Sequence, residues 1–224
     1  MTHTSNIFSR FASRFSQGEL KLNRIEAFSD GVFAIVVTLL VLELKVPELH
    51  EHNSVGELCE RLREQLPKFL SWLISFIIVC KFWLNHHYLL GRARYANYGM
   101  VWLNSIFLMF QSFIPFPTGL MGEYPSNPLA VTIFGFVMSA NTVMFLVLQR
   151  YILRKLIKPE LADSVDLRLE IRTLIGPVFY LIGAAAAWVS TPVAFVFYMI
   201  TPLFFITPAV ASDGEPAGDE AGDK

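Results

Sequence analysis

Cysteine is scarce. The 224-residue chain has two, Cys59 and Cys80. Cys59 lies in a polar stretch and Cys80 in an apolar one, so no disulfide framework is expected, and no cysteine spacing suits a metal. Charge is scarce as well: 17% of residues are charged and the formal net charge is −1. No basic cluster is interleaved with aromatics on a polar face, which argues against a nucleic-acid partner. A G-x-S-x-G elbow is missing, so no serine-hydrolase centre is expected. Apolar residues, in contrast, are abundant. They make up 54% of the chain, phenylalanine alone occurs 20 times, and the mean hydropathy is +0.47. Such a composition leaves too little polar surface to cover a water-soluble globule, and a membrane protein is the first expectation.

A helix needs about 20 apolar residues to cross a bilayer core. Six stretches qualify, roughly 26–46, 67–90, 98–121, 129–152, 171–190 and 192–210. The expected fold is an all-α integral membrane protein with six transmembrane helices. Thr191-Pro192 reads as the turn of a tight hairpin between the last two. Residues 1–23 read as a cytoplasmic N-terminal arm with Arg10 and Arg14, where Phe8, Phe11 and Phe15 suit a surface helix; a transit peptide is the alternative. The six-helix membrane unit spans 24–210, and 211–224 form an acidic tail expected to be disordered. A polar connector at 47–66 carries Glu48, Glu51, Glu57, Glu60 and Glu64, and reads as a solvated loop or a short amphipathic helix. With the N-terminus inside, 13 of the 18 Lys and Arg residues fall on the cytoplasmic side. That asymmetry places both termini in the cytoplasm.

The first span opens with RIEAFSDGVFAIVVTLLVLEL, residues 24–44. On a helical wheel Phe28, Gly31, Ile35, Thr38, Leu39 and Leu42 share one face. Asp30 lies about 200° around from Phe28 at about 100° per residue, so it faces the rest of its own chain. A carboxylate inside a membrane segment costs about 2.5–3.5 kcal/mol on insertion scales and normally has a partner. At about 1.5 Å of rise per residue, His86 and His87 at the end of span 2 reach the same depth, as does Asn104 at the start of span 3. The expectation is a polar cluster of Arg24, Ser29, Asp30, His86 or His87, and Asn104 that clamps the first three helices, with Lys81 a turn or two deeper. It reads as structural glue, or as a gating or proton-sensing group, because histidine changes charge near neutral pH. The apolar face reads as a lipid-facing or core stripe, or as a hydrophobic constriction that gates a pore by dewetting. Periodicity leaves both open.

Arg24-x-x-x-Phe28-Ser29-Asp30-Gly31, followed by Ile, Thr and two Leu, resembles the signature of a potassium-channel family. Its animal members are endolysosomal, and its bacterial members are single six-helix units. Trp83, His86-His87, Trp102-Leu103-Asn104 and Pro115-Phe116-Pro117-Thr118 resemble the bacterial branch. The likeness covers residues 24–205. It implies a multi-pass protein of the bacterial inner membrane, assembled as a cyclic homo-tetramer with helix 1 of each subunit lining the pore. It implies that Ile35 forms the narrowest ring, that Leu39 and Leu42 form further rings, and that Thr38 bears on cation selectivity. Residue 34 is Ala34, where the animal proteins carry serine. The implied partners are membrane lipid and monovalent cations, with potassium as the permeant ion and no cofactor or bound metal.

No TVGYG segment occurs, so a cage of backbone carbonyls is not expected. Potassium would cross apolar rings partly hydrated, with weak to moderate selectivity. No span carries an arginine ladder, so little voltage dependence is expected. A proton channel or proton-coupled transporter is the competing reading, supported by the intramembrane His, Asp and Lys. Against a transporter, no repeat of broken helices is visible in the two halves. Enzyme or haem chemistry on His86 and His87 is disfavoured, since adjacent helical residues point about 100° apart. No catalytic residues are expected.

Overall fold

The computed structural model describes residues 21–164 and 167–204. The segments read as the N-terminal arm up to residue 20 and as the acidic tail lie outside the described residues. Eight α-helices follow in order among the described residues: α1 Leu22–Leu40, α2 Val55–Glu64, α3 Leu66–Gly91, α4 Tyr98–Ser112, α5 Pro115–Glu123, α6 Pro128–Lys155, α7 Leu167–Ala186 and α8 Thr191–Phe204. A 3-10 turn, Val41–Glu43, extends α1.

The helix starts are written locally. Asn97 Oδ1 accepts from Met100 N at 2.9 Å and opens α4. Asn127 Oδ1 accepts from Leu129 N at 2.9 Å and opens α6, with Pro128 in the first position where no N–H is needed. The connector contains a helix, α2, capped by Ser54 Oγ accepting from Glu57 N at 3.2 Å. Glu57 then folds back, and its two carboxylate oxygens accept from His50 N at 2.8 Å and Glu51 N at 3.0 Å. Those two backbone hydrogen bonds hold its carboxyl below the usual glutamate range. At this connector end Lys68 pairs with Glu123 at 2.6 Å. At the opposite end, the loop after α3 is stitched to the end of α6 by Arg94 N to Leu156 O at 2.7 Å and Lys158 N to Arg92 O at 3.0 Å.

Among the described residues four segments are long and apolar enough to cross a membrane: Leu22–Glu43, Leu66–Gly91, Tyr98–Glu123 and Pro128–Lys155. The fifth and sixth expected spans correspond to α7 and α8, whose described apolar parts run over Leu174–Ala186 and Thr191–Pro202. The third span is two helices, not one. Pro115 and Pro117 lack the N–H groups that would continue α4, and the chain tightens there into Ile114 N to Gln111 O at 3.1 Å and Phe116 N to Phe113 O at 3.3 Å. The expected turn at Thr191-Pro192 lies earlier, within 187–190, and Thr191-Pro192 starts α8 instead. Proline fits the first turn of a helix better than the turn before it.

α6 is the hub, with two buried seams. Thr132, Gly135, Ser139, Thr142, Leu146, Gln149 and Leu153 form one seam, and two contacts set α7 against it. Thr132 Oγ1 donates to Ala184 O at 3.1 Å, and a Cβ on Gly176 would stand 3.1 Å from the Thr142 methyl. Small residues let membrane helices approach closely, which is how they associate without a hydrophobic drive. Phe134, Met138, Asn141, Phe145, Leu148 and Ile152 form the second seam, from which Phe145 packs on Phe107 of α4 and Phe134 on Tyr198 of α8. The Tyr198 ring of α8 lies over Gly135 and Gly183, with its hydroxyl donating to Val131 O at 2.9 Å.

Candidate functional site: the two faces of the first helix

One face of α1 is packed. Ser29, Phe33, Val36 and Leu40 are buried. Phe33 meets the His86 ring at 5.6 Å and the Phe107 ring at 6.1 Å. His86 stacks on Phe107 at 5.7 Å with 15° between planes, and Phe107 meets Phe145 of α6 at 5.6 Å. Four helices thus share one aromatic knot. Within it runs a chain of polar groups. His86 Nε2 and Asn104 Oδ1 lie 2.7 Å apart, Asn104 Nδ2 donates to Ser29 Oγ at 3.0 Å, and Ser29 Oγ donates to Ile25 O at 2.8 Å. With the Asn104 amide oriented this way, His86 carries its proton on Nε2 and donates it. The chain bonds α1, α3 and α4 in a setting where an unpaired polar group would be costly.

The expected cluster is divided, not continuous. Ser29, His86 and Asn104 form its buried part. Asp30 and His87 sit at the rim, where Trp83 Nε1 donates to Asp30 Oδ1 at 2.9 Å and His87 Nδ1 lies 3.2 Å from Glu26 Oε1. The Trp83 and His87 rings stack at 6.1 Å. Arg24 stands exposed in line with Phe28, because four residues along a helix return to the same face. Lys81 is half-buried on α3, between the rim and the middle of the helix. Trp83 and Glu26 were not singled out as members of this group, although each had a visible signal. Glu26 is one turn before Asp30, and Trp83 one turn before His87.

The other face of α1 is bare. Phe28 is 61% exposed, Ile35 59%, Leu39 40% and Leu42 68%, and Gly31, Ala34 and Thr38 are exposed with them. A Cβ on Gly31 would meet nothing within 4 Å. Thr38 Oγ1 donates back to its own helix, to Ile35 O at 2.9 Å and Ala34 O at 3.1 Å. Its proton is therefore committed, and its oxygen presents lone pairs to the bare face.

Apolar helices of membrane-spanning length, small-residue seams and buried polar bonds between helices define a polytopic helical membrane protein. Residues 24–115 match the family model described as endosomal/lysosomal potassium channel TMEM175. A protein from Chryseobacterium sp. named as a potassium channel is 34% identical over 188 residues, covering 83% of this chain and 92% of that one. The human endosomal/lysosomal proton channel TMEM175 is 38% identical over 101 residues, 43% of this chain and 20% of that one. The crystal structure of a lysosomal potassium-selective channel TMEM175 homolog from Chamaesiphon minutus superposes with a TM-score of 0.72 at 30% identity, covering 83% of this chain and 96% of that chain. The chain belongs to the TMEM175 family, a family of ion channels and not of enzymes.

Proposed function

We propose that this chain forms a potassium-preferring cation channel of the bacterial cell membrane, a homo-tetramer of six-helix subunits with both termini cytoplasmic. The supporting observation is the bare face of α1. Phe28, Ile35, Leu39 and Leu42 lie uncovered on a helix whose opposite face is fixed by the aromatic knot. One such helix cannot enclose a pore, and copies around a cyclic axis can. In that arrangement Ile35, Leu39 and Leu42 make apolar rings, and water leaves a narrow apolar ring readily, which closes it to ions. Thr38 oxygens between the rings stand in for water around a partly hydrated ion. Potassium holds its water less tightly than sodium and crosses at lower cost. Ser29, Asp30, His86, His87 and Asn104 then serve as the structural clamp that keeps the pore helix in register, while Arg24 at the open face borders the cytoplasmic mouth.

Six spans require α7 and α8 to cross as a hairpin, and the lysine and arginine asymmetry supports the orientation. The 1–23 arm and the 211–224 tail lie outside the 24–210 channel unit in this reading. Proton conduction is the second reading, favoured by the name of the human relative and by the buried His86–Asn104–Ser29 chain. Flux from liposomes of purified protein separates the two. Potassium efflux faster than sodium, with no pH change under a proton gradient, supports the first reading. Proton flux without potassium flux overturns it.

A further inference from the structure

Away from the pore face, Gln111 is completely buried, yet neither its Nε2 nor its Oε1 meets a protein partner; the same holds for Asn141 Oδ1. Three observations bring these groups together. Phe107 of α4 packs on Phe145 of α6 at 5.6 Å, and Tyr151 OH reaches Asn97 Oδ1 at 3.1 Å, so the two helices run antiparallel. One turn beyond Phe107 is Gln111, and one turn before Phe145 is Asn141. Asn141 is buried on α6 one turn before Phe145, the residue that meets Phe107 of α4. Gln111 is the last full turn of α4 before the proline break, where freed backbone groups in membrane helices draw ordered water.

From this juxtaposition we infer that α4 and α6 enclose a bound water site lined by Gln111 and Asn141. The chemistry selects water. Asn141 Nδ2 is already committed to Val137 O at 2.9 Å, so Asn141 offers only an acceptor, whereas Gln111 offers donors and an acceptor. A water accepts from Gln111 Nε2 and donates to Asn141 Oδ1. A cation cannot accept from the amide N–H, and two amide oxygens fall short of a cation shell. Buried waters of this kind join otherwise unsatisfied groups and are costly to remove. By residue count from the ends of their helices the site is level with Ile35, behind α1 and separate from its bare face.

The test is a structure of the full-length protein in detergent or nanodiscs at a resolution that shows water, together with melting temperatures of three variants. Density within hydrogen-bond distance of both Gln111 Nε2 and Asn141 Oδ1 is expected. Gln111→Leu and Asn141→Leu singly should each lower the melting temperature by several degrees, because each strands the partner and the water. The double variant should recover most of the loss, since apolar replacement of a whole polar group set is near neutral. A dry site, direct bonding of the two carboxamides, or single variants that are each more stable than the parent would overturn the inference.

Discussion

α1 and α6 are both apolar and of membrane-spanning length, but 28% of the most apolar stretch of α1 is buried against 61% for α6. The reason lies in what each helix presents. α6 alternates small and large residues on two seams and is covered on both. α1 carries bulky apolar residues around most of its circumference, and the described residues of its own subunit bury the Ser29–Phe33–Val36–Leu40 side. Hydropathy therefore identifies a segment that belongs in a membrane. It does not say whether that segment meets lipid, its own chain or a symmetry mate. In this family reading, the difference between the two helices is the difference between scaffold and conduit.

The comparison is tested most severely inside α1 itself. Phe33→Ala opens a cavity beside the His86 and Phe107 rings, and should lower subunit stability by about 3 kcal/mol, within the range for deleting a buried aromatic. Thermal unfolding followed by tryptophan fluorescence in detergent measures it. Ile35→Ala, two residues away, should leave the unfolding temperature nearly unchanged and, if Ile35 forms the narrowest ring of the proposed pore, raise ion flux in liposomes. Equal destabilisation by both substitutions would mean that the bare face is a packing face like the other.

A smaller effect separates the two helices. A Cβ at Gly135 would stand 2.8 Å from Tyr180 O and 2.9 Å from Ala184 Cβ, and would press on the Tyr198 hydroxyl. Gly135→Ala should therefore lose about 1–3 kcal/mol through overpacking, seen as reduced monodisperse yield and a lower melting temperature. Gly31→Ala should have the opposite sign, a gain of up to about 1 kcal/mol, because the helix gains a better helix former and no neighbour is displaced. A loss at Gly31 would show that another chain approaches α1 closely there.

Much of this was legible in the residues. The 3.6-residue spacing put Phe28, Gly31, Ile35, Thr38 and Leu42 on one face and turned Asp30 toward the chain, but whether that face is covered was not legible from periodicity. Depth counting brought His86 and Asn104 to Ser29. The partition of the polar cluster was harder to read, because one hydrogen bond to Trp83 and one contact from Glu26 decide which groups stand at the rim. The aromatic knot was invisible for a different reason: Phe107 and Phe145 are ordinary members of apolar runs, and only their packing makes them neighbours. The break in the third span had a direct signal in Pro115 and Pro117, whose missing N–H groups end α4. The connector helix was legible as one of two alternatives, and the Ser54–Glu57 spacing decides in its favour.

The finest test concerns Thr38, where α1 differs from a plain apolar stripe by a single hydroxyl. Because that hydroxyl donates to Ile35 O and Ala34 O, its proton is not offered to the bare face, and only the oxygen is. Thr38→Val keeps the shape and removes that oxygen. Fold and assembly should be unaffected, since no contact within the subunit depends on the group beyond its own helical turn. The potassium-to-sodium flux ratio should fall by up to about fivefold, which corresponds to roughly 1 kcal/mol, the net worth of one ordinary hydrogen bond. A ratio that stays constant while conductance is also unchanged would place Thr38 outside the ion path, and with it the bare face of α1. A ratio that stays constant while conductance rises would leave the rings in place and assign the preference for potassium to ring width alone.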